Sequence, residues 1–381
     1  MINNVNNDAM AIIFPNIYDD LVPELVKDRL AASIPFASRY RLIDFTLSSL
    51  VNSGIDDVSI LPRENYHSLQ DHLGTGREWD LARKNGGVTI FPPFAQKTIG
   101  MFTGRVDALH GFLNVIKSHK EKYVIMTDCF SASNFDFKAF LSAHIASGAD
   151  VTAAYTKQEL PESVKACDNY SRCFYYTFDV FGNKISAVNI NSKESGIQNF
   201  DMNIYAMDRE WLIDAVEQAY IDGGTIFERD ILRKRQNEIN ILGYEYKGYV
   251  ARIYSLKDYF DESMKLLNED NLDELFDGGQ IYTKVRDDNP TRYIGAAKVG
   301  NVMLADGSII EGEVENCVFF KGVKVGKGAV VKNCILMQDT VVEPGAKLEY
   351  VISDKDVTFT ANKELKGNED YPVYVAKFTV V

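Results

Sequence analysis

A 17-residue self-similarity near the carboxyl end constrains the fold of this chain more than any other feature. Glu315–Val318 reads ENCV, Lys332–Ile335 reads KNCI, and Glu349–Ile352 reads EYVI. Glycines at 312, 322, 328 and 345 separate the short β-branched runs. Repeats of this length, with small residues at corners and aliphatic residues inside, are typical of a β-solenoid. We therefore predict a parallel β-helix; an ordinary β-sandwich with accidental repetition is the alternative.

The chain up to about residue 260 has a different pattern. Ala11–Phe14, Val58–Leu61 and Tyr123–Met126 are continuous apolar runs, as buried strands of parallel sheets tend to be. Helix-length segments such as Thr46–Ser53 and Asp107–Ser118 lie between the strands. This alternation predicts a mostly parallel sheet covered by helices, which is an α/β domain.

We divide the chain into three parts on this basis. Residues 1–264 form the predicted α/β domain, and residues 291–381 form the predicted β-helix. Residues 265–290, rich in Asn, Asp and Gly, form a predicted linker. A chain of 381 residues is long enough for two domains with cores of their own.

Composition narrows the functional class. The formal net charge of −13 opposes non-specific binding to nucleic acid, because polyphosphate would be repelled. No apolar run approaches the ~20 residues of a membrane helix, and Met1–Met10 has no signal-peptide pattern. The five cysteines are an odd number without a CxxC pair, which favours a reducing compartment. We expect a cytoplasmic protein that binds neither nucleic acid nor membrane.

Four motifs in the α/β part resemble one enzyme family. They are RYRLIDFTLSSLVNSGI at Arg39–Ile55, NYHSLQDHL at Asn65–Leu73, EWDL at Glu78–Leu81 and GRVDAL at Gly104–Leu109. They resemble glucose-1-phosphate adenylyltransferase, also called ADP-glucose pyrophosphorylase, where the first motif reads KYRLIDFPLSNCINSGI and the last begins Gly-Thr-Ala-Asp-Ala. The similarity covers nearly the whole chain, and its strength lies in the combination of motifs.

The resemblance implies a Rossmann-like nucleotidyltransferase domain followed by a left-handed parallel β-helix, assembled as a tetramer. It also implies a reaction of ATP with glucose 1-phosphate that gives ADP-glucose and pyrophosphate. Magnesium and basic groups hold the triphosphate in such a reaction. Because that catalysis is mostly positioning and charge neutralisation, missing cations and metal ligands should be costly.

The phosphate-binding residues of the family are absent from this chain. The first loop of the family is Gly-Gly-x-Gly-x-Arg-Leu, but Phe14–Leu21 occupies that place here. Pro15 removes one N–H donor, while Asp19 and Asp20 oppose phosphate. Further on, Ala31 stands where the family has a phosphate-contacting lysine. A divergent loop that binds nucleotide in another way remains the alternative.

The metal and sugar sites are also incomplete. Asp128 matches the family's metal-binding aspartate, so it is a remnant metal-ligand position. Arg252 falls at or near the place of the second ligand, and an arginine would repel Mg²⁺. The family's Glu-Lys-Pro sugar motif has no match at Asn191–Ser195. A lone carboxylate after a strand also fits a simple capping role.

These correlated losses are those of a catalytically silent paralogue. The chain resembles the second, regulatory subunit that accompanies the glycogen enzyme of Gram-positive bacteria. We therefore expect no metal site, no confident catalytic residue and no cofactor in this subunit, with Mg²⁺ and ATP in an active partner. The predicted assembly is a hetero-oligomer, expected to be a tetramer, with the catalytic glucose-1-phosphate adenylyltransferase subunit.

Four arginines are candidates for an anionic effector site, because guanidinium groups suit phosphate and sulfate oxygens. They are Arg29, Arg39, Arg41 and Arg63, and Arg39 matches the family's activator-contacting lysine. A sugar phosphate or inorganic phosphate is the expected effector, between the two domains. The alternative is that Arg39 and Arg41 pair with Asp44 on a structural face.

Three other functions compete with the regulatory subunit. The first is a weakly active adenylyltransferase with a rebuilt nucleotide loop, and the second is a scaffold without an effector role. The third is an acyltransferase, because β-solenoids of this type often use a solenoid histidine as general base. All five histidines lie before residue 145, outside the predicted solenoid, which argues against acyl transfer.

Overall fold

The computed structural model describes residues 8–84, 86–95, 97–165, 174–295 and 297–381. Two of the five cysteines, Cys167 and Cys173, therefore lie outside the described residues, and Cys129, Cys317 and Cys334 are buried free thiols. Among the described residues, no helix combines the length and the apolar character needed to cross a bilayer.

The N-terminal part is built on a nine-stranded sheet with helices on both faces. In chain order its strands and the short strands beside it are β1 (Ala9–Phe14), β2 (Pro35–Phe36), β3 (Tyr40–Arg41), β4 (Asp57–Ile60), β5 (Gly87–Ile90), β6 (Tyr123–Asp128), β7 (Ser131–Ala132), β8 (Val151–Glu159), β9 (Tyr176–Phe181), β10 (Lys184–Ile190), β11 (Ile197–Asp208), β12 (Ile241–Glu245) and β13 (Ala251–Arg252). The sheet order is β5-β4-β1-β6-β11-β8-β12-β10-β9. The predicted apolar strands are confirmed as β1, β4 and β6, and their side chains are buried.

The prediction of a mostly parallel sheet is wrong for the second half of this sheet. β5, β4, β1 and β6 run parallel, and β12 runs parallel to β8. β11, however, is antiparallel to both β6 and β8, and the β9–β10 hairpin adds antiparallel pairs at the edge. The apolar runs on which the prediction rested all lie in the parallel half.

The helices cover the sheet and begin and end at recognisable residues. They are α1 (Pro23–Val26), α2 (Leu42–Asn52), α3 (His67–Leu73), α4 (Arg105–Ser118), α5 (Phe137–Ser147), α6 (Glu162–Lys165), α7 (Arg209–Ile221), α8 (Leu256–Lys265) and α9 (Glu269–Phe276). The predicted helical segments fall on α2 and α4, although α2 ends at Asn52, one residue before the predicted end at Ser53. The Asp44 side chain caps α2 by accepting from the backbone N–H of Arg41, and Asp107 caps α4 in the same way from Gly104. Gly148 ends α5 in a left-handed conformation.

The C-terminal part is a parallel β-helix. Its strands are β14 (Arg292–Tyr293), β15 (Lys298–Leu304), β16 (Ile309–Ile310), β17 (Glu313–Phe319), β18 (Lys324–Val325), β19 (Val330–Lys332), β20 (Ile335–Leu336), β21 (Val341–Val342), β22 (Lys347–Glu349), β23 (Val351–Ser353), β24 (Thr358–Phe359), β25 (Glu364–Lys366) and β26 (Val373–Val375). The 17-residue repeat is confirmed by the strand register, because Val318 pairs with Ile335 and Ile335 pairs with Ile352. A side chain at Gly312 would meet the backbone oxygen of Ala329 at 2.4 Å, so the coil closes tightly there.

One side of the β-helix packs against the α/β domain. A shared apolar core joins Phe36 and Tyr259 of the first domain to Ile335, Met337 and Ile352 of the second. The predicted linker contains α9, whose Leu275 is buried in the same core. At ~1.5–3 kcal/mol for each fully buried large aliphatic or aromatic side chain, this contact holds the two domains in one arrangement.

Candidate functional site

Internal hydrogen bonds join the loop after β1 to the backbone of Ala31 and Ala32. The N–H of Ala32 donates to the carbonyl of Pro15 at 3.1 Å, and the N–H of Ala31 donates to the Asp19 carboxylate at 3.0 Å. The N–H of Leu21 donates to the carbonyl of Tyr18 at 3.0 Å. Phosphate cradles need free N–H groups that point at the ligand. Of these three N–H groups, the Asp19 carboxylate accepts from one, and the carbonyls of Pro15 and Tyr18 accept from the other two.

Acidic groups make this loop still less suited to phosphate. Burial raises the pKa of Asp19 to about 7, although the Ala31 N–H and the Arg63 guanidinium favour its charged form. Asp20, next to it, is exposed and lines the adjacent pocket. The loop is therefore neutral or negative near pH 7, where a triphosphate site needs donors and positive charge.

Asp128 lies at the end of β6 and faces a buried arginine. One carboxylate oxygen accepts from the Phe130 N–H at 3.1 Å, which confines the turn after the strand. The other oxygen, Oδ2, lies 3.6 Å from Nη2 of Arg105. Asp128 is 5% exposed and Arg105 is 2% exposed. The capping role that the sequence left open for Asp128 is thus present in the structure, while its role as a remnant metal ligand stays a prediction.

Arg105 is the centre of a buried ionic cluster. Its Nη1 contacts the Glu228 carboxylate in a short ion pair and lies 3.4 Å from Oδ1 of Asn203. Burial alone would lower the pKa of Arg105, but Glu228 raises it above its ordinary value, so the guanidinium stays charged. Burial raises the pKa of Asp128 to about 6, and Arg105 opposes that rise. Arg105 therefore supplies the positive charge that these carboxylates require.

Gly104 allows this arrangement, because any side chain there would meet the backbone oxygen of Thr225 at 2.2 Å. The close approach lets the Val106 N–H donate to Thr225 at 2.9 Å. It brings the first turn of α4 against the segment that leads into Glu228, which lies in a short π-helix, Glu228–Arg233. The local backbone thus sets the ion pair between Arg105 and Glu228.

Arg252 adds a second buried cation to the same region. It lies on β13, which pairs with β7 directly after Asp128. Its guanidinium donates to the Asp201 carbonyl and to Oγ1 of Thr156, each at 2.9 Å, and stacks over Phe200 at 4.3 Å. Its charge helps to lower the pKa of Asp128. At or near the predicted position of the second metal ligand, the chain therefore has Arg252, a buried cation whose charge acts on Asp128.

These residues do not fit a divalent metal. Magnesium prefers several oxygen ligands in octahedral geometry. Here one Asp128 oxygen accepts from a backbone N–H, the other lies 3.6 Å from Arg105, and the charge of Arg252 acts on the same carboxylate. Within the described residues, no group of three metal-ligating side chains is present here or elsewhere. A guanidinium occupies the carboxylate face where a metal would have to bind.

A pocket of about 470 Å³ opens above this cluster. Its walls include Tyr18, Phe102, Phe174 and Tyr176, and the Arg105–Glu228 pair lies among its lining groups. Arg63 lines this pocket, together with Asp20 and Glu64 at its acidic rim. The structure therefore places Arg63 at the pocket beside Arg105 and apart from the other three candidate arginines.

Arg39 and Arg41 lie together in a cleft between the two domains. The cleft has a volume of about 340 Å³ and is lined by Arg39, Arg41 and Asp71 from the first domain and by Lys284 from the segment that connects the two domains. The β-helix adds Lys321 and Lys355 to the same cleft. In the described parts of the chain, neither Arg39 nor Arg41 forms an ion pair with a carboxylate; the Arg41 guanidinium donates to the carbonyl and hydroxyl of Ser68. The alternative pairing with Asp44 is not formed, because that carboxylate accepts from His72 at 2.6 Å and from the Arg41 backbone.

Burial and repulsion between neighbouring cations both disfavour the charged forms of the basic side chains in this cleft. Burial, with Arg41 and Arg29 as the next causes, lowers the pKa of Lys355 to about 7. Burial also lowers the pKa of Lys321, with Arg39 as the next cause, and lowers the pKa of Arg41 to about 10. Lys284 is bound to Asp71 and is therefore partly neutralised. An anion that binds in such a site stabilises the charged forms of these side chains and so lowers the free energy of the protein.

Arg29 lies behind the cleft and not in it. Its Nη2 lies 2.5 Å from Oδ1 of Asp354 on the β-helix, and both side chains are buried. Tyr374 donates to the other oxygen of Asp354 at 2.7 Å. The structure thus gives Arg29 a role between the domains and leaves the exposed Arg39 and the partly buried Arg41 as the candidates for binding an anion.

Several residues of these sites were not predicted from the sequence. Arg105 carried a signal, because it stands in GRVDAL where the family has threonine. Glu228, Lys321 and Lys355 carried none, since only the folded chain brings them to the pocket and the cleft.

Comparisons with known proteins agree with this architecture. A sequence model of the nucleotidyl transferase family matches residues 23–163, and one of the GlmU-like C-terminal hexapeptide family matches residues 285–372. The glycogen biosynthesis protein GlgD of Bacillus subtilis (strain 168) is 33% identical over 374 residues, or 98% of this chain and 96% of the relative. GlgD of Geobacillus stearothermophilus is 35% identical over 382 residues, or 99% and 98%. Glucose-1-phosphate adenylyltransferase of Geobacillus stearothermophilus is 31% identical over 307 residues, or 79% and 77%.

Proposed function

The chain belongs to the family of GlgD glycogen biosynthesis proteins and glucose-1-phosphate adenylyltransferases, and we propose that it is a regulatory subunit without catalytic activity of its own. In this proposal it associates with an active adenylyltransferase subunit that makes ADP-glucose from ATP and glucose 1-phosphate. The subunit itself holds neither Mg²⁺ nor ATP, and it works in the cytoplasm as part of a hetero-oligomer.

The contact of Arg105 with Asp128 and Glu228 carries this proposal. In-line phosphoryl transfer requires cations that bridge the phosphates and neutralise developing charge. In this chain the cation is the Arg105 side chain, and the two carboxylates that it contacts, Asp128 and Glu228, are buried with it. The loop after β1 supports the same conclusion, because it has no glycine and carries Asp19 and Asp20 where a phosphate site needs N–H donors and positive charge.

The cleft between the domains supports the regulatory role. Arg39, Arg41, Lys321 and Lys355 bring positive charge together in this cleft, and among the described residues none of these four side chains forms an ion pair with a carboxylate. We propose that a sugar phosphate or inorganic phosphate binds there and acts on the active partner through this subunit. Because the cleft is lined by both domains, an anion bound in it would contact both of them.

A weakly active adenylyltransferase is the second candidate, since the pocket of about 470 Å³ beside Arg105 is large enough for a small ligand. ADP-glucose synthesis by three samples separates the candidates: this chain, an active family member, and the two coexpressed. The proposal expects no synthesis by this chain and altered kinetics in the coexpressed pair. Unchanged kinetics in a pair that copurifies would favour a scaffold, and synthesis by this chain alone would favour the weak enzyme.

A further inference from the structure

A groove lined by carboxamides runs between α8 and one corner of the β-helix. We call it the amide groove, and its volume is about 690 Å³. Its polar lining comprises Asn268, Asn301, Asn316, Asn333 and Tyr350. It lies apart from both the Arg105 pocket and the cationic cleft, with which it shares no lining residue.

The corner residues of the groove form a regular row. Asn301, Asn316, Asn333 and Tyr350 occupy the same position in four successive coils, with φ angles of 52°, 51°, 51° and 52°. Neighbouring parallel strands lie ~4.8 Å apart, so the side chains repeat at that spacing along the coil axis. Nδ2 of Asn301 donates to Oδ1 of Asn316 at 2.8 Å, which orients the first two amides.

Much of the hydrogen-bonding capacity of this row is unused. Among the described residues, the Asn333 carboxamide and the Tyr350 hydroxyl have no hydrogen-bond partner within the protein. Asn268 uses its oxygen to cap α9, accepting from Asp270 at 2.9 Å, and its Nδ2 remains available. A carboxamide offers two donors and an acceptor on the same side chain. A ligand whose groups both donate and accept, such as a hydroxyl, matches this set.

The charges in the groove argue against an ionic ligand. Lys257 pairs with Asp261 at 2.5 Å, so these two groups of the opposite wall neutralise each other. Lys265 pairs with Glu262 at 2.6 Å. Glu369 is exposed at the rim and would repel an anion. The groove therefore lacks the free cations that distinguish the interdomain cleft.

Apolar surface lies directly beside the amide row. The rings of Phe260 and Tyr350 are 6.1 Å apart and tilted, and Met264 lines the same wall. Tyr350 holds a left-handed φ that bulky residues rarely adopt, which aims its ring at the groove edge where the previous coils have amides. An aromatic ring beside a row of amides suits the C–H face and the hydroxyl rim of a pyranose.

We propose that the amide groove binds an uncharged oligosaccharide chain along the coil axis. Amides of successive coils bond successive hydroxyl groups, while Tyr350 stacks against one sugar ring. The choice of an α-1,4-glucan as first probe rests on the proposed function in glycogen biosynthesis. The binding itself requires neither a catalytic partner nor an anion in the cleft.

Calorimetric titration of the full chain with maltoheptaose, and separately with cellohexaose, tests the proposal. The double variant Asn316→Gly/Asn333→Gly removes two amides, while glycine keeps the left-handed backbone. Asn362→Gly is the matched control, because Asn362 has a φ of 59° on the same β-helix but does not line the groove. Loss of two hydrogen bonds should weaken binding about tenfold, with no change in the control.

Tyr350→Asn is a second variant, which relieves the strained φ and removes the ring. It should fold at least as stably as the parent and bind the oligosaccharide several-fold more weakly. The proposal is supported if either oligosaccharide binds to the parent chain with measurable heat and binds more weakly, or not at all, to the double variant. The oligosaccharide that binds shows which glycosidic linkage the groove accepts. Absence of heat with both probes, or equal affinities for parent and double variant, would overturn the proposal. Neither result depends on the ADP-glucose assay, so the two proposals fail independently.

Discussion

Nη2 of Arg29 lies 2.5 Å from Oδ1 of Asp354, in an ion pair that joins the α/β domain to the β-helix away from solvent. Tyr374 donates to the second oxygen of the same carboxylate. Arg29 precedes Ala31, whose N–H holds Asp19 in the altered loop, and Asp354 precedes Lys355 in the cationic cleft. The pair therefore lies between the two sites that the proposed function invokes.

Removal of Arg29 should destabilise the joined domains. Arg29→Met keeps the length of the side chain but leaves Asp354 buried without its cation, at a cost of about 3–5 kcal/mol. The double variant Arg29→Met/Asp354→Asn should recover much of the loss, since no charge is then left unpaired. Thermal unfolding of parent, single and double variants measures this coupling. Equal midpoints for parent and Arg29→Met would show that the pair has no role in domain contact.

Arg105 should behave as a resident cation. Arg105→Gln leaves Asp128 and Glu228 without their positive partner and should lower the unfolding midpoint. Thermal unfolding of the parent and the variant measures this loss, which is about 3–5 kcal/mol when one partner of a buried ion pair is removed. Arg105→Lys keeps a cation and is the matched control. Equal unfolding midpoints for the parent and Arg105→Gln would contradict this view of Arg105.

Asp19 should make stability depend on pH in a defined direction. Its pKa is about 7 in the folded chain, above the ordinary 3.8, so the folded state binds the proton more tightly than the unfolded state. Its contribution is therefore greatest at low pH and is lost as pH rises through about 7. Asp19→Asn keeps the acceptor for Ala31 and removes the buried charge. It should stabilise the chain by about 1–2 kcal/mol at pH 8, a value reduced for partial exposure, and by less at pH 5.

Urea unfolding at the two pH values measures this effect. Asp20→Asn is the control, because Asp20 is exposed beside the same loop. A gain for Asp19→Asn that is larger at pH 5 than at pH 8 would be the opposite of the expected sign.

The cationic cleft should bind phosphate-bearing anions more tightly as pH falls. Lys355 has a pKa of about 7, so below that value it is charged and repels the neighbouring cations, whereas an anion relieves that repulsion. Fructose 1,6-bisphosphate or inorganic phosphate should raise the unfolding midpoint more at pH 6.5 than at pH 9. Arg39→Gln should weaken the binding about tenfold, because it removes a charge-assisted contact. Lys324→Gln is the control, because Lys324 is exposed on another side of the β-helix, and it should leave binding unchanged. Equal binding by the parent and the Arg39 variant would show that the anion does not bind in this cleft.

Much of the fold could be predicted from local patterns. The 17-residue repeat determined the β-helix register, because each coil must stack aliphatic residues such as Val318, Ile335 and Ile352. The antiparallel β11 could not be predicted in the same way. Its direction is set by pairing with β6 and β8 across long sequence separations, and an apolar strand reads the same in both directions.

The candidate site was predictable only where an altered residue stands within a motif. Asp19, Ala31, Asp128 and Arg252 could be compared with the family position by position. The separation of the four arginines was not predictable, since Arg29 finds Asp354 more than 300 residues later and Arg63 turns to the Arg105 pocket. The cations that complete the cleft come from the β-helix, and sequence proximity gives no sign of that contact.

ADP-glucose synthesis by the purified chain alone, with ATP, glucose 1-phosphate and Mg²⁺, tests the central claim most directly. The claim is that Arg105, bound to Asp128 and Glu228, occupies the charge position that a catalytic metal would need. The expected result is no synthesis above the rate without protein, with or without phosphate effectors. Sustained turnover by this chain without another subunit would contradict it.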